Sequence, residues 1–176
     1  MQLTNSRVAH IFNESIFSDD GNHRYLLTRV WNNELPSVTI IMLNPSYADE
    51  LMWDWSSMRI MNYIVGCKKY GGIDIVNLFS CIEKDSERLT QYKQKFDDNT
   101  DKYINKVIEK NSDIIIAWGV NKNRKTRIKT IKKFIKKYNN KNIFRLVDED
   151  DEIKHISVVS NHFKIIRIDI DDIIKD

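Results

Sequence analysis

The chain has 176 residues and a mass of 20.9 kDa, a size typical of one domain. Its hydrophobic share of 41% is enough for a packed core, which excludes a disordered or fibrous chain. The net charge is +3, the two cysteines fit no disulfide framework, and no apolar stretch has the length of a membrane span. We therefore expect a single cytoplasmic domain, residues 1–176.

The first 35 residues predict a β-hairpin, because the apolar segments 9–12 and 24–31 flank a turn-forming sequence at 19–22. From residue 36 to 160, continuous apolar runs alternate with stripes at helical spacing. The runs are 38–43, 73–79, 113–118 and 142–147, and the stripes lie within 58–65, 104–108 and 128–138. Such runs are typical of strands that are buried on both faces of a parallel sheet.

This alternation predicts an α/β fold with three layers, α/β/α. We expect a central, mainly parallel four-stranded sheet, with the hairpin of residues 1–35 as an extension. Residues 161–176 are predicted to form a C-terminal strand and a frayed acidic tail.

Polar residues follow the predicted strands, where open α/β sheets bind their ligands. Asn44 comes after the first strand, Asn77 lies within the second, and His155 follows the fourth. An amide inside an apolar strand costs about 1 to 3 kcal/mol if it finds no partner, so Asn77 is more consistent with reading a ligand than with a turn. The sequence Asn-Pro-Ser at 44–46 is also an ordinary sharp turn.

A basic strip covers residues 122–141, which contain ten Lys or Arg residues and no Asp or Glu. It is a candidate phosphate-binding surface, or simply a solvated helix face. The candidate DNA-binding residues are Arg59, Lys125, Arg127 and Lys129. An acidic cluster at 148–152 follows and has no assigned role. The familiar phosphate-loop, dinucleotide, serine-hydrolase and zinc-protease motifs are absent, so we expect no metal and no cofactor.

Four motifs in the chain resemble, in order and spacing, those of a bacterial and phage family of unknown function. They are RYLLTRVW at 24–31, MLNPSYAD at 42–49, VNLF at 76–79 and AWG at 117–119, and the resemblance covers roughly residues 8–160. The chain departs from the family at 54–56, where Asp-Trp-Ser replaces the usual Asp-Pro-Thr. It departs again at 155–157, where His-Ile-Ser replaces His-Pro-Leu.

That family is in turn similar to the uracil-DNA glycosylase superfamily. The sequence Leu-Asn-Pro-Ser at 43–46 resembles the first motif of that superfamily. The resemblance implies a monofunctional DNA glycosylase that hydrolyses the N-glycosidic bond of a flipped, modified base and leaves an abasic site. The hypermodified cytosine of phage DNA is one such base, which would make anti-phage defence the role. DNA is then the partner, and we expect a monomer.

The resemblance also implies roles for individual residues. Asn44 would orient water, Asp49 or Asp54 would supply charge or act as base, and His155 would stabilise the departing base. Further residues are expected to contact the base: Tyr47, Asn77 and Trp55, with Trp53 as another candidate aromatic.

Two other functions remain open at this point. One alternative is a non-catalytic nucleic-acid-binding module on the same fold, as the missing His-Pro sequence would suggest. The other is an enzyme that acts on free nucleosides or nucleotides, although the basic strip favours a nucleic-acid polymer as the substrate.

Overall fold

A computed structural model of the chain describes residues 7–83, 95–120, 124–160 and 162–174. Strands and helices alternate through most of this length. In chain order the elements are β1 (Phe12–Phe17), β2 (Arg24–Val30), β3 (Ser37–Met42), α1 (Trp55–Gly66), β4 (Gly72–Asn77), α2 (Asp98–Lys110), β5 (Asp113–Ile116), α3 (Lys125–Lys136), β6 (Asn142–Val147), β7 (Lys164–Ile168) and a 3-10 helix (Ile170–Ile174).

The strands form one seven-stranded mixed sheet in the order β1-β2-β4-β3-β5-β6-β7. The neighbours β4-β3, β3-β5 and β5-β6 are parallel, whereas β1-β2, β2-β4 and β6-β7 are antiparallel. The prediction of a central, mainly parallel four-stranded sheet is therefore wrong, because the hairpin strands β1 and β2 and the last strand β7 belong to one seven-stranded sheet. Apolar runs identify strands but not their partners, and the open edges of β4 and β6 both recruit an antiparallel neighbour.

Two segments near the chain ends differ from the sequence-based expectation. The first strand of the hairpin is β1, Phe12–Phe17, and not residues 9–12. Its alternating burial is weak because it lies at the sheet edge, so its sequence carries little periodic signal. The acidic tail begins with a 3-10 helix whose Ile173 is fully buried against the sheet.

The helices cover both faces of the sheet. Apolar residues of α1, including Ile60 and Ile64, pack on one face, and those of α2 and α3, including Ile108 and Ile131, pack on the other. Each helix presents one apolar stripe to the sheet, as helical spacing of the isoleucines requires. Over the described part of the chain, none of these helices has the length and apolar composition that crossing a bilayer requires.

A buried carboxylate joins three neighbouring strands to the end of α2. Asp74 in β4 is 1% exposed. Its Oδ1 accepts a hydrogen bond from Thr28 of β2 at 2.7 Å, and its Oδ2 accepts from Lys110 and from Asn111, both at 2.8 Å. The Asn111 amide also donates to Thr39 of β3 at 3.0 Å. An apolar side chain at this position could not form these hydrogen bonds. Asp74 therefore specifies which strands lie next to β4.

Replacing Asp74 with alanine is expected to lower the free energy of unfolding by about 2 to 4 kcal/mol, because the donors of Thr28 and Asn111 stay buried without a partner. Lys110→Ala is the control, since its ammonium is half-exposed and can be hydrated, and it should cost less than about 1 kcal/mol. Urea unfolding of the two variants measures the difference. Equal losses would show that only the ion pair matters.

Candidate functional site

A cleft of about 720 Å³ opens at the carboxyl ends of β3 and β5. These strands are adjacent and parallel, but β3 leads into α1 on one face while β5 leads towards α3 on the other. Neighbouring strands whose connections diverge leave a crevice that neither connection covers. The loops that follow β3, β5 and β6 line the cleft, so it gathers side chains that are far apart in sequence.

Asn44 lies in the wall of this cleft, two residues after β3. Its Nδ2 donates to the carbonyl oxygens of Pro45 at 3.1 Å and Glu83 at 2.5 Å. These bonds orient the amide, and no donor from the described residues reaches its Oδ1. Asn44 therefore presents a fixed acceptor that can hold a water molecule or a hydroxyl group.

Asp54 and Glu83, and not Asp49, are the acidic residues that line the cleft. Asp54 caps α1 by accepting a hydrogen bond from the Ser57 backbone N–H at 2.6 Å, and it lines the cleft. Asp49 is outside the cleft wall, and its Oδ1 accepts from the backbone N–H groups of Met52 and Leu51. Those two bonds lower the pKa of the Asp49 carboxyl. The structure thus assigns Asp49 to holding its own loop.

His155 also lines the cleft, and its backbone pairs with that of Trp118. The Ser157 backbone N–H donates to His155 Nδ1 at 3.2 Å, and the Ser157 hydroxyl lies 2.7 Å from the same nitrogen. A nitrogen that accepts from an N–H carries no proton, so the neutral ring has its proton on Nε2. Burial, and then the charge of Arg124, lowers the pKa of His155 to about 4, and Asp54 opposes the shift. At neutral pH His155 is therefore an uncharged donor.

Gly119 permits the close approach of His155 to the end of β5. Its φ is +76°, a conformation that L side chains rarely adopt, and an added Cβ would lie 3.1 Å from both the Cβ and the backbone nitrogen of His155. A side chain at this position would push the 153–157 loop away from the cleft. The glycine of the Ala-Trp-Gly motif is thus required by backbone geometry.

Aromatic side chains surround the cleft mouth and floor. Tyr47 and Trp55 are 61% and 59% exposed, whereas Trp118, which also lines the cleft, is 1% exposed. Trp53 stacks on the fully buried Arg29, whose guanidinium carbon is 3.6 Å from the ring centroid. Arg29 also donates to the carbonyl oxygens of Asp49 at 2.9 Å and of Met52 at 3.2 Å, and so holds the aromatic loop in place.

Asn77 does not share the cleft wall with Asn44. It ends β4, opposite Met42 of β3, and is 3% exposed. The residue between Asn77 and the cleft is Arg24, which lines the floor and whose Nη2 is 3.5 Å from Asn77 Oδ1. Asn77 therefore reaches the cleft only through Arg24, and the expectation that it contacts a ligand there directly is wrong.

Two of the four expected DNA contacts are buried and hold the fold. Arg59 donates to the carbonyl oxygens of Ile156 at 2.6 Å and Val159 at 3.0 Å, and it also bonds Ser160. Arg127 donates to Leu78 and forms an ion pair with Asp101. Neither guanidinium is available to a phosphate, so their assignment to DNA is wrong. A basic residue on a helix looks the same in sequence whether it faces solvent or the sheet.

Lys125 and Lys129 are exposed on α3, and Lys133 continues the same side of the helix one turn further on. Arg124 directly precedes α3 and lines the cleft. The exposed lysines therefore form a row of positive charge that leads away from the cleft mouth. We call Lys125, Lys129 and Lys133 the lysine row.

The acidic cluster at 148–152 forms a tight turn beside the cleft. Asp148 Oδ1 accepts the backbone N–H groups of Asp150 and Glu152, and Lys154 pairs with Glu152 at 2.5 Å. Its charges are thus partly neutralised within the turn. Among the described residues, no group of three or more His, Cys, Asp or Glu side chains is arranged to hold a metal ion.

Sequence reasoning missed Arg24 and Arg124 as residues of the cleft. Arg24 carries a detectable signal, because it is a charged residue at the start of an apolar strand that is buried along its length. Arg124 carries none, because it is one of ten basic residues in the strip and only its position before α3 brings it to the cleft.

Stability should depend on pH through His155. The unfolded state takes up a proton near the ordinary value of 6.5, whereas the folded state does so only near pH 4, so acid favours unfolding over this interval. The contribution is complete above pH 6.5 and is lost as the pH falls towards 4. We expect the free energy of unfolding of the unaltered chain, relative to that of His155→Gln, to fall between pH 7 and pH 4.5. Urea unfolding of both proteins measures it. A constant difference would contradict the assignment.

Comparison with known proteins identifies a family but no activity. Residues 24–155 match the family described as "Protein of unknown function (DUF1643)". No curated protein matches the chain. No solved structure matches it either. The match covers three quarters of the chain and includes the residues of the cleft from Arg24 to His155, and the chain therefore belongs to the DUF1643 family.

Proposed function

We propose that the protein is a DNA glycosylase that hydrolyses the N-glycosidic bond of a flipped, modified base and leaves an abasic site. The observation that carries the proposal is the meeting of three groups in one cleft: the acceptor Asn44, the carboxylate Asp54 and the uncharged donor His155. Acceptors for water on one side and a donor for a leaving group on the other are what this hydrolysis requires.

The water side of the reaction belongs to Asn44 and Asp54. Asn44 Oδ1 accepts one proton of a water molecule and orients its oxygen. The Asp54 oxygen that does not cap α1 accepts the second proton as the water attacks C1′ of the sugar. The same negative charge stabilises the cation-like sugar that forms as the bond lengthens.

The leaving-group side belongs to His155. The bond between C1′ and the base nitrogen breaks, and its electron pair leaves with the base. The Nε2–H of His155 donates a hydrogen bond to the acceptor on which this charge collects. Water supplies the hydroxyl group that bonds to C1′ and gives its proton to Asp54. The departing base takes a proton from solvent, and Asp54 returns its own proton to solvent, so the protons balance. A neutral imidazole suits this step because it does not need to lose its own proton.

The aromatic rim supports a base that has left its helix. Extruding a base from the duplex costs a few kcal/mol, which stacking on aromatic rings offsets. Tyr47 and Trp55 line the cleft and are exposed, so their ring faces are available to a flat base. The volume of about 720 Å³ exceeds that of an unmodified base and leaves space for a substituent.

The resemblance of residues 43–46 to the first motif of the uracil-DNA glycosylase superfamily supports a distant relation, which is part of this proposal. We include the hypermodified cytosine of phage DNA as the target and defence against phages as the role. The protein would then act as a monomer in the cytoplasm, on DNA that has entered the cell.

The activity is tested by incubating the purified protein with uracil-containing DNA, unmodified DNA and phage DNA that carries hypermodified cytosine, followed by alkali. We expect alkali-sensitive strands and free base from the phage DNA. Asp54→Asn keeps the helix cap but removes the proton acceptor, and it should slow release by about a hundredfold or more. Asp49→Asn is the matched control and should change the rate far less, because Asp49 lies outside the cleft wall and the amide oxygen keeps the bonds to its loop.

Other outcomes of this assay identify the alternatives. Intact strands in all three substrates, together with salt-sensitive DNA binding that Asn44→Ala does not alter, would support a non-catalytic binding module. Base release from a mononucleoside without affinity for DNA would instead support an enzyme of free nucleosides.

The lysine row is expected to bind the DNA backbone. Removing two exposed lysines with Lys125→Ala/Lys129→Ala should lower the slope of log affinity against log salt by about two, whatever the sequence of the DNA. Lys102→Ala/Lys106→Ala is the matched control, because these lysines lie at the same spacing on α2. Fluorescence anisotropy over a salt series measures both slopes. Equal slopes for the two double variants would contradict the assignment.

A further inference from the structure

Exposed apolar side chains gather around the cleft. Among the described residues, six large ones line it and remain exposed to solvent: Tyr47, Met52, Trp53, Trp55, Val120 and Val158. We call these six the apolar rim. Leu51, which adjoins Met52 in the chain, is 80% exposed. Soluble proteins rarely expose large apolar patches, and the patches that do occur are typical of binding surfaces.

The loop that carries Met52 and Trp53 is fixed before any ligand binds. Asp49 Oδ1 accepts the backbone N–H groups of Leu51 at 2.8 Å and of Met52 at 2.6 Å. The guanidinium carbon of the fully buried Arg29 lies 3.6 Å from the centroid of the Trp53 ring. A base that stacks on this loop therefore orders little of the protein, and the entropy cost of binding is small.

Charges of opposite sign leave the cleft on different sides. The lysine row lies on α3, which packs through Ile131 on one face of the sheet. The acidic cluster at 148–152 leads directly into Ile153, which lines the cleft, and then into Ile156, which packs on the other face. One side of the cleft therefore offers a positively charged track, and the other side presents negative charge.

The acidic cluster keeps a net negative charge despite its ion pairs. It contains five carboxylates, at residues 148–152. Two ammonium groups, those of Lys154 and Lys164, pair with it at distances from 2.5 to 3.8 Å. Glu149 and Asp150 are exposed. A phosphate backbone beside the cluster is therefore repelled, over a distance of about 10 Å at 0.1 M salt.

We propose that the cleft and its surroundings bind single-stranded DNA in preference to duplex DNA. This inference rests on the proposed function and names the form of its substrate. One backbone follows the lysine row, and the unpaired bases beside the target stack on the apolar rim. Proteins that bind single strands combine a basic track with aromatic platforms in this way. In a duplex, neighbouring bases cover those base faces, and the second backbone approaches the acidic cluster.

The preference has a consequence for the proposed reaction. In a single strand the target base is unpaired, so the cost of extracting it from a base pair does not arise. The exposed rings of Tyr47 and Trp55 then hold the base and its neighbours. Base release should therefore be faster from heat-denatured phage DNA than from the same DNA in its native form.

Binding of unmodified DNA tests the inference without relying on base release. One fluorescent oligonucleotide is measured alone and annealed to its complement, by anisotropy at the same salt concentration. We expect the single strand to bind about ten- to a hundredfold more tightly than the duplex, the effect of one or two stacked bases. Equal or tighter binding of the duplex would overturn the inference, even if phage DNA releases its base. A single-strand preference without base release would support the interface and contradict only the glycosylase activity.

Trp55→Ala tests the stacking. The variant should bind the single strand about tenfold more weakly, because one aromatic platform is lost, and its duplex binding should change far less. Phe12→Ala is the matched control, because Phe12 is also 59% exposed but lies on the edge strand β1, outside the cleft wall. Equal single-strand affinities of the two variants would contradict the inference.

Glu149→Gln/Asp150→Asn tests the repulsion. The change removes two exposed charges and keeps the backbone bonds to Asp148, so duplex binding should tighten about threefold or more at low salt. Glu34→Gln/Glu109→Gln is the matched control, since both carboxylates are exposed near the amino ends of β3 and β5, away from the cleft. The same duplex affinity in both double variants would show that the acidic cluster does not exclude a second strand, against the inference.

Discussion

The divergence of the chain at β3 and β5 is the constraint on which the site depends. The two strands are neighbours, and their connections leave towards opposite faces of the sheet, so none of the described helices covers the space above their carboxyl ends. Most residues of the cleft lie on loops that start or end at this point. The buried carboxylate of Asp74 stabilises the order of the strands beneath the cleft, because its hydrogen bonds hold β4 between β2 and β3.

The cleft brings acceptors and a donor together. Asn44 and Asp54 follow β3 and carry oxygen atoms, whereas His155 comes from the loop after β6 and carries an N–H group. The proposed hydrolysis of a glycosidic bond uses both, since water must be held and deprotonated while the base accepts charge. Burial keeps His155 uncharged at neutral pH, so its ring stays a donor.

The arginines show how one residue type is used in three ways. Arg59 and Arg127 bond backbone carbonyl groups and an aspartate, and they stabilise the packing of loops and helices. Arg29 holds the aromatic loop and supports Trp53. Arg24 alone of these combines burial, a place in the cleft and a donor without an acceptor. Their sequence contexts do not separate these uses, because the bonding of a guanidinium depends on which carbonyl groups the fold brings near it.

The sequence by itself determined the succession of strands and helices from residue 38 to 147 and the loops that carry Asn44 and His155, because apolar periodicity and turn residues are local properties. It did not determine the seven-stranded mixed sheet, since strand pairing joins backbone groups that are distant along the chain. Nor did it determine that Asp54 lines the cleft and Asp49 does not, or that Arg24 lies between Asn77 and the cleft. Those outcomes depend on which side chains become buried together, and only the tertiary structure decides burial.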